Sequence, residues 1–310
     1  MQDSTSPRIL GVGIACLDYL FVAPRAERGG QARLKAHLIQ GGGLIGTGLV
    51  AAARLGGRTE IWTWIGEDSG GRHVLQGLQD EGVSVTHAEV IPGARQPVSF
   101  IHVEAGSGER TIYHGPRLDI PEHMIAALHD RSLSCDALLV DAVWPNASLT
   151  VARRARAGRI PVVGDFYPHP DLTDLAREVT ALAVPAGAAD RAMPGAPRET
   201  QLRRLAGMSA GFAIITAGSD GCYYSDGESV DHQPAFPVEV VDTTGAGDVF
   251  HGALAYALGR RWPMAQSAEF AAAAAALSCR ALGGRTAAPS LAEVLSLLES
   301  RGSKFWSQMR

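Results

Sequence analysis

Short apolar runs alternate with segments of helical period along most of this chain, and that alternation restricts the fold more than any other feature. Arg8–Cys16, Thr59–Ile65, Ala137–Asp141, Ile160–Asp165, Ala181–Val184 and Phe212–Thr216 read as strands. Leu44–Leu55, Gly70–Glu81, Ala147–Gly158 and Leu172–Glu178 lie between them with helical spacing, and Gly247–Leu258, Ala265–Arg280 and Ala292–Arg301 make the C-terminal third helical. Apolar strands joined through helices imply a mostly parallel sheet covered on both faces. Two stretches break the rhythm: residues 19–40 and 96–115 alternate polar and apolar positions, with a turn at Ala105-Gly-Ser-Gly108. They are expected to pair as a small sheet protruding from the main body. No linker splits the chain, so residues 1–310 are expected to form one domain.

Composition excludes several classes. Hydrophobic residues are 46% and charged ones 19%, a globular balance rather than a disordered one. A formal net charge of −4 argues against a nucleic-acid partner, which demands a broad basic face. Cys16, Cys135, Cys222 and Cys279 are scattered, without a Cys-x-x-Cys pair, as expected for reduced thiols. Asp18 interrupts the apolar stretch Ile9–Val22, and Ala271–Ala276 is too short to cross a bilayer, so no membrane association and a cytoplasmic location are expected.

The chemistry concentrates in Asp242-Thr-Thr-Gly-Ala-Gly-Asp248. Gly245 and Gly247 flank Ala246, so the backbone turns tightly and presents its N–H groups at the start of a helix. Unpaired N–H groups and the helix dipole both favour an anion there. Asp248, just inside that cradle, either complements the helix N-terminus or takes a proton from a hydroxyl while the amides hold developing charge. No Gly-x-x-x-x-Gly-Lys-[Ser/Thr] loop is present, which excludes a Walker-type phosphate site. No Gly-x-Gly-x-x-Gly turn directly closes the first strand, which disfavours a dinucleotide-dependent dehydrogenase.

The run Val241–Ala253 resembles the C-terminal signature of the ribokinase-like (PfkB) carbohydrate kinase family, and Gly41–Gly56 resembles its glycine-pair signature. The resemblance spans about Ile9 to Leu298. It implies a ribokinase-like three-layer α/β/α fold with a small β-sheet lid at 19–40 and 96–115, often the dimer contact in that family. It also implies an ATP-dependent transfer to a small sugar, with Asp248 as base and the amides of Gly245, Ala246 and Gly247 as the anion hole. By the same resemblance Asp18, Gly42, Gly43, Thr47 and His114 meet the sugar, and Thr216, Gly218, Gly221 and Thr244 lie along the ATP phosphates. Small residues in Ala271–Ser278 either floor an adenine pocket or simply pack. Mg2+ is expected with ATP; the resemblance also implies K+ at Asp242, Thr244 and Gly283, where the alternative is a helix-capping Asp242 and a turn at the glycines.

The chain departs from the family in two places. Thr47 stands where most relatives carry Asn, which changes the hydroxyl pattern that is read. The Asn-x-x-Glu motif that orders the metal–phosphate waters is replaced by Val184-Pro-Ala-Gly-Ala-Ala-Asp190, leaving Asp190 or Asp165 for that task. His232–His251 most resembles the sulfofructose kinase branch, whose basic and amide positions are here Gln31, His114 and Val143. Valine cannot pair a sulfonate, so a different sugar is expected. His251 reads as a helix-packing residue. The alternatives are a nucleoside kinase of the same fold and a sugar- or nucleotide-binding regulator without turnover.

Overall fold

The computed structural model describes residues 6–25, 29–106, 110–167, 169–302 and 304–307. Its strands are β1 (Arg8–Val12), β2 (Cys16–Ala23), β3 (Ala36–Gly42), β4 (Arg58–Gly66), β5 (Ser84–Ile91), β6 (Val98–Glu104), β7 (Arg110–His114), β8 (Ala137–Asp141), β9 (Val162–Asp165), β10 (Ala181–Pro185), β11 (Phe212–Thr216), β12 (Cys222–Ser225) and β13 (Val230–Gln233). The helices are α1 (Leu44–Arg54), α2 (Ser69–Asp80), α3 (Glu122–Ala126), α4 (Pro145–Ala157), α5 (Thr173–Glu178), α6 (Ala186–Ala192), α7 (Arg198–Ala206), α8 (Ala246–Gly259), α9 (Met264–Ser278), α10 (Leu291–Glu299) and α11 (Lys304–Ser307).

Among the described residues, nine strands form one sheet in the order β13-β12-β11-β10-β9-β8-β1-β4-β5. Pairing is parallel from β11 to β5, and β12 and β13 add an antiparallel edge. Successive strand residues point to opposite faces, and the core divides accordingly. Ile9, Ala137 and Leu139 pack with α1, α8, α9 and α10, whereas Leu10, Leu138 and Val140 pack with α4, α5 and α7. Each Leu, Ile or Val side chain so buried contributes about 1.5–3 kcal/mol. The result is the expected helix–sheet–helix sandwich.

The remaining four strands form a separate sheet, β3-β2-β6-β7. These are the two stretches with alternating polarity. One expectation needs correction here: the first strand ends at Val12, not Cys16. Gly13 turns the chain, and the carboxylate of Asp141 fills the space a side chain there would need. Cys16 therefore opens β2, and Asp18 belongs to the small sheet rather than to the end of β1. The strand β5 and the hairpin β12–β13 were not foreseen. Of the expected turn at 105–108, Ser107 and Gly108 lie outside the described residues.

Candidate active site

Helix α8 starts at Gly245, whose φ of 72° is left-handed. A Cβ there would also fall 2.6 Å from the α-carbon of Gly284, so conformation and close approach both require glycine. No side chain among the described residues caps this N-terminus. Ala246 N–H donates to Thr243 O at 3.3 Å, while the N–H groups of Gly245, Gly247 and Asp248 have no partner among the described residues. The loop is held from below by Asp242. Its Oδ1 accepts from Thr244 N at 2.9 Å and Thr244 Oγ1 at 2.8 Å, and its Oδ2 accepts from Gly283 N at 2.9 Å. Asp242, Thr244 and Gly283 thus sit together, with the carboxylate already taking three donors. From the small sheet, Arg110 Nη1 donates to Thr243 Oγ1, tying β7 to this loop.

Asp248 stands in the first turn of α8 and is half-buried. Burial pushes its proton affinity well above the usual carboxylate range. The facing Asp165 and Asp18 carboxylates add to the rise, and Arg285 and Arg110 oppose it. Asp165 ends β9 and is itself raised by burial, with His251 opposing. Its Oδ2 lies 3.3 Å from His251 Nδ1 and accepts no hydrogen bond. His251 does pack within α8, as expected, but it is also polar in function. Nδ1 lies 2.6 Å from Gly247 O and Nε2 lies 3.1 Å from Ala183 O. Asp141, the register neighbour of Asp165, is pushed up to about 7 by burial, although it accepts N–H groups from Ile14 at 2.7 Å and Val143 at 2.9 Å.

The opposite wall comes from the small sheet. Register aligns Gln40, Asp18, Ser99 and His114 in one row across β3, β2, β6 and β7. Asp18 is 8% exposed, and burial raises its pKa against the Cys16 thiol, Arg285, the Ser99 hydroxyl and His114. Cys16 Sγ donates to Asp18 Oδ1 at 3.2 Å, and Ser99 Oγ lies 3.4 Å from His114 Nδ1. Ser99, Cys16, Arg285 and Arg110 were missed by the sequence reading; only strand register and loop packing bring them here.

The glycine pair makes room for charged side chains rather than leaving an open shelf. A Cβ on Gly42 would fall 2.0 Å from Asp18 Oδ2, and one on Gly41 would fall 2.4 Å from Arg285 Nη1. Gly43 adopts φ 87° at the start of α1. Thr47 is buried in the first turn of α1, and its hydroxyl has no hydrogen-bond partner among the described residues.

Thr216 ends β11, and Gly218 (φ 57°) and Gly221 (φ 88°) shape the turn into β12. Gly221 also lies against the end of β13, where a Cβ would meet Gln233 O at 2.1 Å. Most of Ala271–Ser278 is buried, with Ala275 and Ala276 partly exposed. Asp190 is not brought to the crevice. It sits exposed on α6, bound to Arg198 at 3.1 Å and Gln201 at 2.9 Å. Of the two carboxylates considered for the metal–phosphate waters, only Asp165 faces Asp248.

A family model described as pfkB family carbohydrate kinase matches residues 10–291. Ribokinase of Bacillus subtilis is 27% identical over 93% of this chain and 98% of its own length. Aminoimidazole riboside kinase of Salmonella typhimurium is 31% identical over 77% of this chain and 82% of its own. The structure of Arabidopsis thaliana ribokinase complexed with ribose and ATP superposes with a TM-score of 0.79 at 22% identity, covering 95% of this chain and 99% of that one.

Proposed function

Because this chain belongs to the pfkB family of carbohydrate kinases, we propose that it transfers the γ-phosphoryl group of ATP to a hydroxyl of a small sugar, with Asp248 as the base. The observation that carries this reading is the position of Asp248. It stands at an uncapped helix start whose free N–H groups favour an anion, with Asp18 of the small sheet facing it. Asp248 takes the proton of the acceptor hydroxyl, and the amides of Gly245, Gly247 and Asp248 stabilise negative charge on the phosphoryl group. Its raised proton affinity suits it to hold that proton near neutral pH. Ala246 contributes less, since its N–H already leans on Thr243 O.

Asp18 and the Ser99–His114 pair read sugar hydroxyls, with Thr47 offering a free hydroxyl from α1. Thr216, Gly218 and Gly221, at the carboxyl end of β11, lie along the nucleotide phosphates together with Thr244. Mg2+ would be held mainly by water and ATP oxygens, and Asp165 Oδ2, beside His251 but accepting no hydrogen bond among the described residues, is a fitting acceptor for its bound water. It would neutralise charge between the phosphates. Asp242, Thr244 and Gly283 offer hard oxygens suited to K+.

The small sheet serves as the lid. Its other face carries Ile39, Phe100 and Tyr113, which are 47%, 44% and 61% exposed. Register sets them in one row with Tyr19, whose ring stacks on Phe100 at 5.1 Å. Such an apolar stripe suits a homodimer contact. A riboside is the second acceptor class. A cavity of about 300 Å3 at the carboxyl end of β8, lined by Arg117, Leu118, Ile125, Val143 and Trp144, has room for a substituent on the sugar.

ADP release measured with ATP against ketoses, aldoses, sugar acids and ribosides tests the reading. Turnover with one neutral sugar or riboside is expected. Binding of ATP without ADP release on any acceptor would reduce the protein to a regulator.

A further inference from the structure

Arg285 is a buried cation with few partners of its own. It follows the glycine turn Gly283–Gly284 and is 5% exposed. Its Nη2 donates to Gly42 O at 3.0 Å, and its Nε is buried without a hydrogen-bond partner. Three glycines make space for it or its contact. A Cβ on Gly41 would fall 2.4 Å from Nη1, and one on Gly46 would fall 2.6 Å from Nη2. The Asp18 carboxylate packs against the α-carbon of Gly42, whose carbonyl Arg285 holds, and a Cβ there would fall 2.0 Å from Oδ2. The backbone of the glycine pair is therefore sandwiched between a carboxylate and a guanidinium.

Burying a charge with so few hydrogen bonds is costly unless opposite charges surround it. Burial lowers the Arg285 pKa to about 10, and Asp18, Cys16, Glu81 and Asp248 act against that fall. The backbone around Arg285 is also fixed at two points. Gly283 N–H is held by Asp242 of the cradle at 2.9 Å. Arg54 Nη1 of α1 binds the carbonyls of Arg285 at 2.9 Å and Ala288 at 3.0 Å, while its other nitrogens clasp Glu81 at 2.8 and 2.6 Å. One short loop thus touches the anion cradle through Gly283–Gly284 and the acceptor wall through the Arg285 side chain.

We propose that Arg285 is a positioning residue for the acceptor sugar: it fixes the Gly41–Gly42 backbone against Asp18 and supplies a buried positive charge behind that wall. It touches neither reactant. Its effect reaches the sugar through Asp18, whose carboxylate rests on Gly42, so acceptor binding depends on it more than nucleotide binding does. The proposal rests on the carbohydrate-kinase reading.

Steady-state kinetics of R285Q and R285K test it with the acceptor that the wild type uses best. R285Q is expected to raise the acceptor KM about ten- to a hundredfold, the scale of a lost hydrogen bond to a charged group, with the KM for ATP changed less than about twofold. R285K, which keeps the charge, is expected to fall between R285Q and wild type. Should R285Q not fold, G41A supplies the second variant. Its Cβ displaces the guanidinium without removing the cation, and the acceptor KM is again expected to rise selectively. Equal effects on both KM values, or an unchanged acceptor KM in soluble R285K and G41A, would overturn the proposal and leave Arg285 a structural residue. Wild-type inactivity on every acceptor would remove the kinase reading, and this proposal with it.

Discussion

The two walls of the crevice are built by opposite methods. The cradle is local: Asp242 binds Thr244 two residues on, and Gly245 turns the chain into α8 within the same short run. The acceptor wall is assembled from afar, since Asp18, Ser99 and His114 meet only because three strands pair in one register. A cradle made of backbone geometry tolerates little change at single positions, because no neighbour can replace an N–H or a left-handed φ. A row of side chains shares its work, so single changes there should weaken recognition by degrees. Perturbing each wall separately tests this contrast.

The largest effect should come from Asp248. The D248N variant keeps the shape of the cradle and removes the proton acceptor, so turnover should fall ~10²-fold or more while ATP affinity holds. Single-turnover phosphorylation beside nucleotide titration separates the two, and near-normal turnover would end the assignment of the base. Next comes Gly245. In G245A a side chain must adopt φ 72° and press against Gly284 at 2.6 Å. Stability should drop by about 1–3 kcal/mol, and turnover should fall with it. The same change at Gly247 meets nothing within 4 Å and serves as the control for stability alone. Equal behaviour of the two variants would show that the left-handed turn is not what shapes the cradle.

The contrast also explains what could be read from the sequence. The cradle, Asp248 and the strands at Ala137–Asp141 and Phe212–Thr216 were legible because their signals are contiguous. Ser99 was not, because a serine in an alternating strand carries no mark of the aspartate it will face. Arg285 was hidden for a different reason. Nothing in Gly-Gly-Arg says that a guanidinium will enter the space left by Gly41 and Gly46. The misplaced end of β1 has a local cause: Gly13 breaks an apolar run, and the continuing polypeptide leaves the large sheet for the small one. Asp190 shows the limit of spacing as evidence, since α6 turns it toward Arg198 and away from the crevice.

On the acceptor wall, S99A should have a smaller effect than either cradle variant. It removes one neutral hydroxyl, worth ~1 kcal/mol net, so the acceptor KM should rise about fivefold with kcat nearly unchanged. A loss of turnover comparable to D248N would mean that the row is as intolerant as the cradle, and the contrast would fail.

The smallest expected effect is a shift along the pH axis. As the proposed base, Asp248 must be ionised to act, and burial together with the carboxylates of Asp165 and Asp18 holds its proton more tightly than usual. Turnover should therefore rise with pH through a limb lying above the ordinary carboxylate range. Replacing Asp165 by Asn removes one facing negative charge and leaves His251 without that partner, while Arg285, Arg110 and Asp18 stay in place. Removal of that charge favours the ionised form of Asp248, so the acid limb of kcat in D165N should move to lower pH, with little change on the plateau. A pH–rate profile under saturating substrates reads the shift directly. A limb displaced to higher pH would mean that Asp165 acts on Asp248 chiefly by holding structure, and that the charge couplings beneath the cradle are weaker than its enclosure implies.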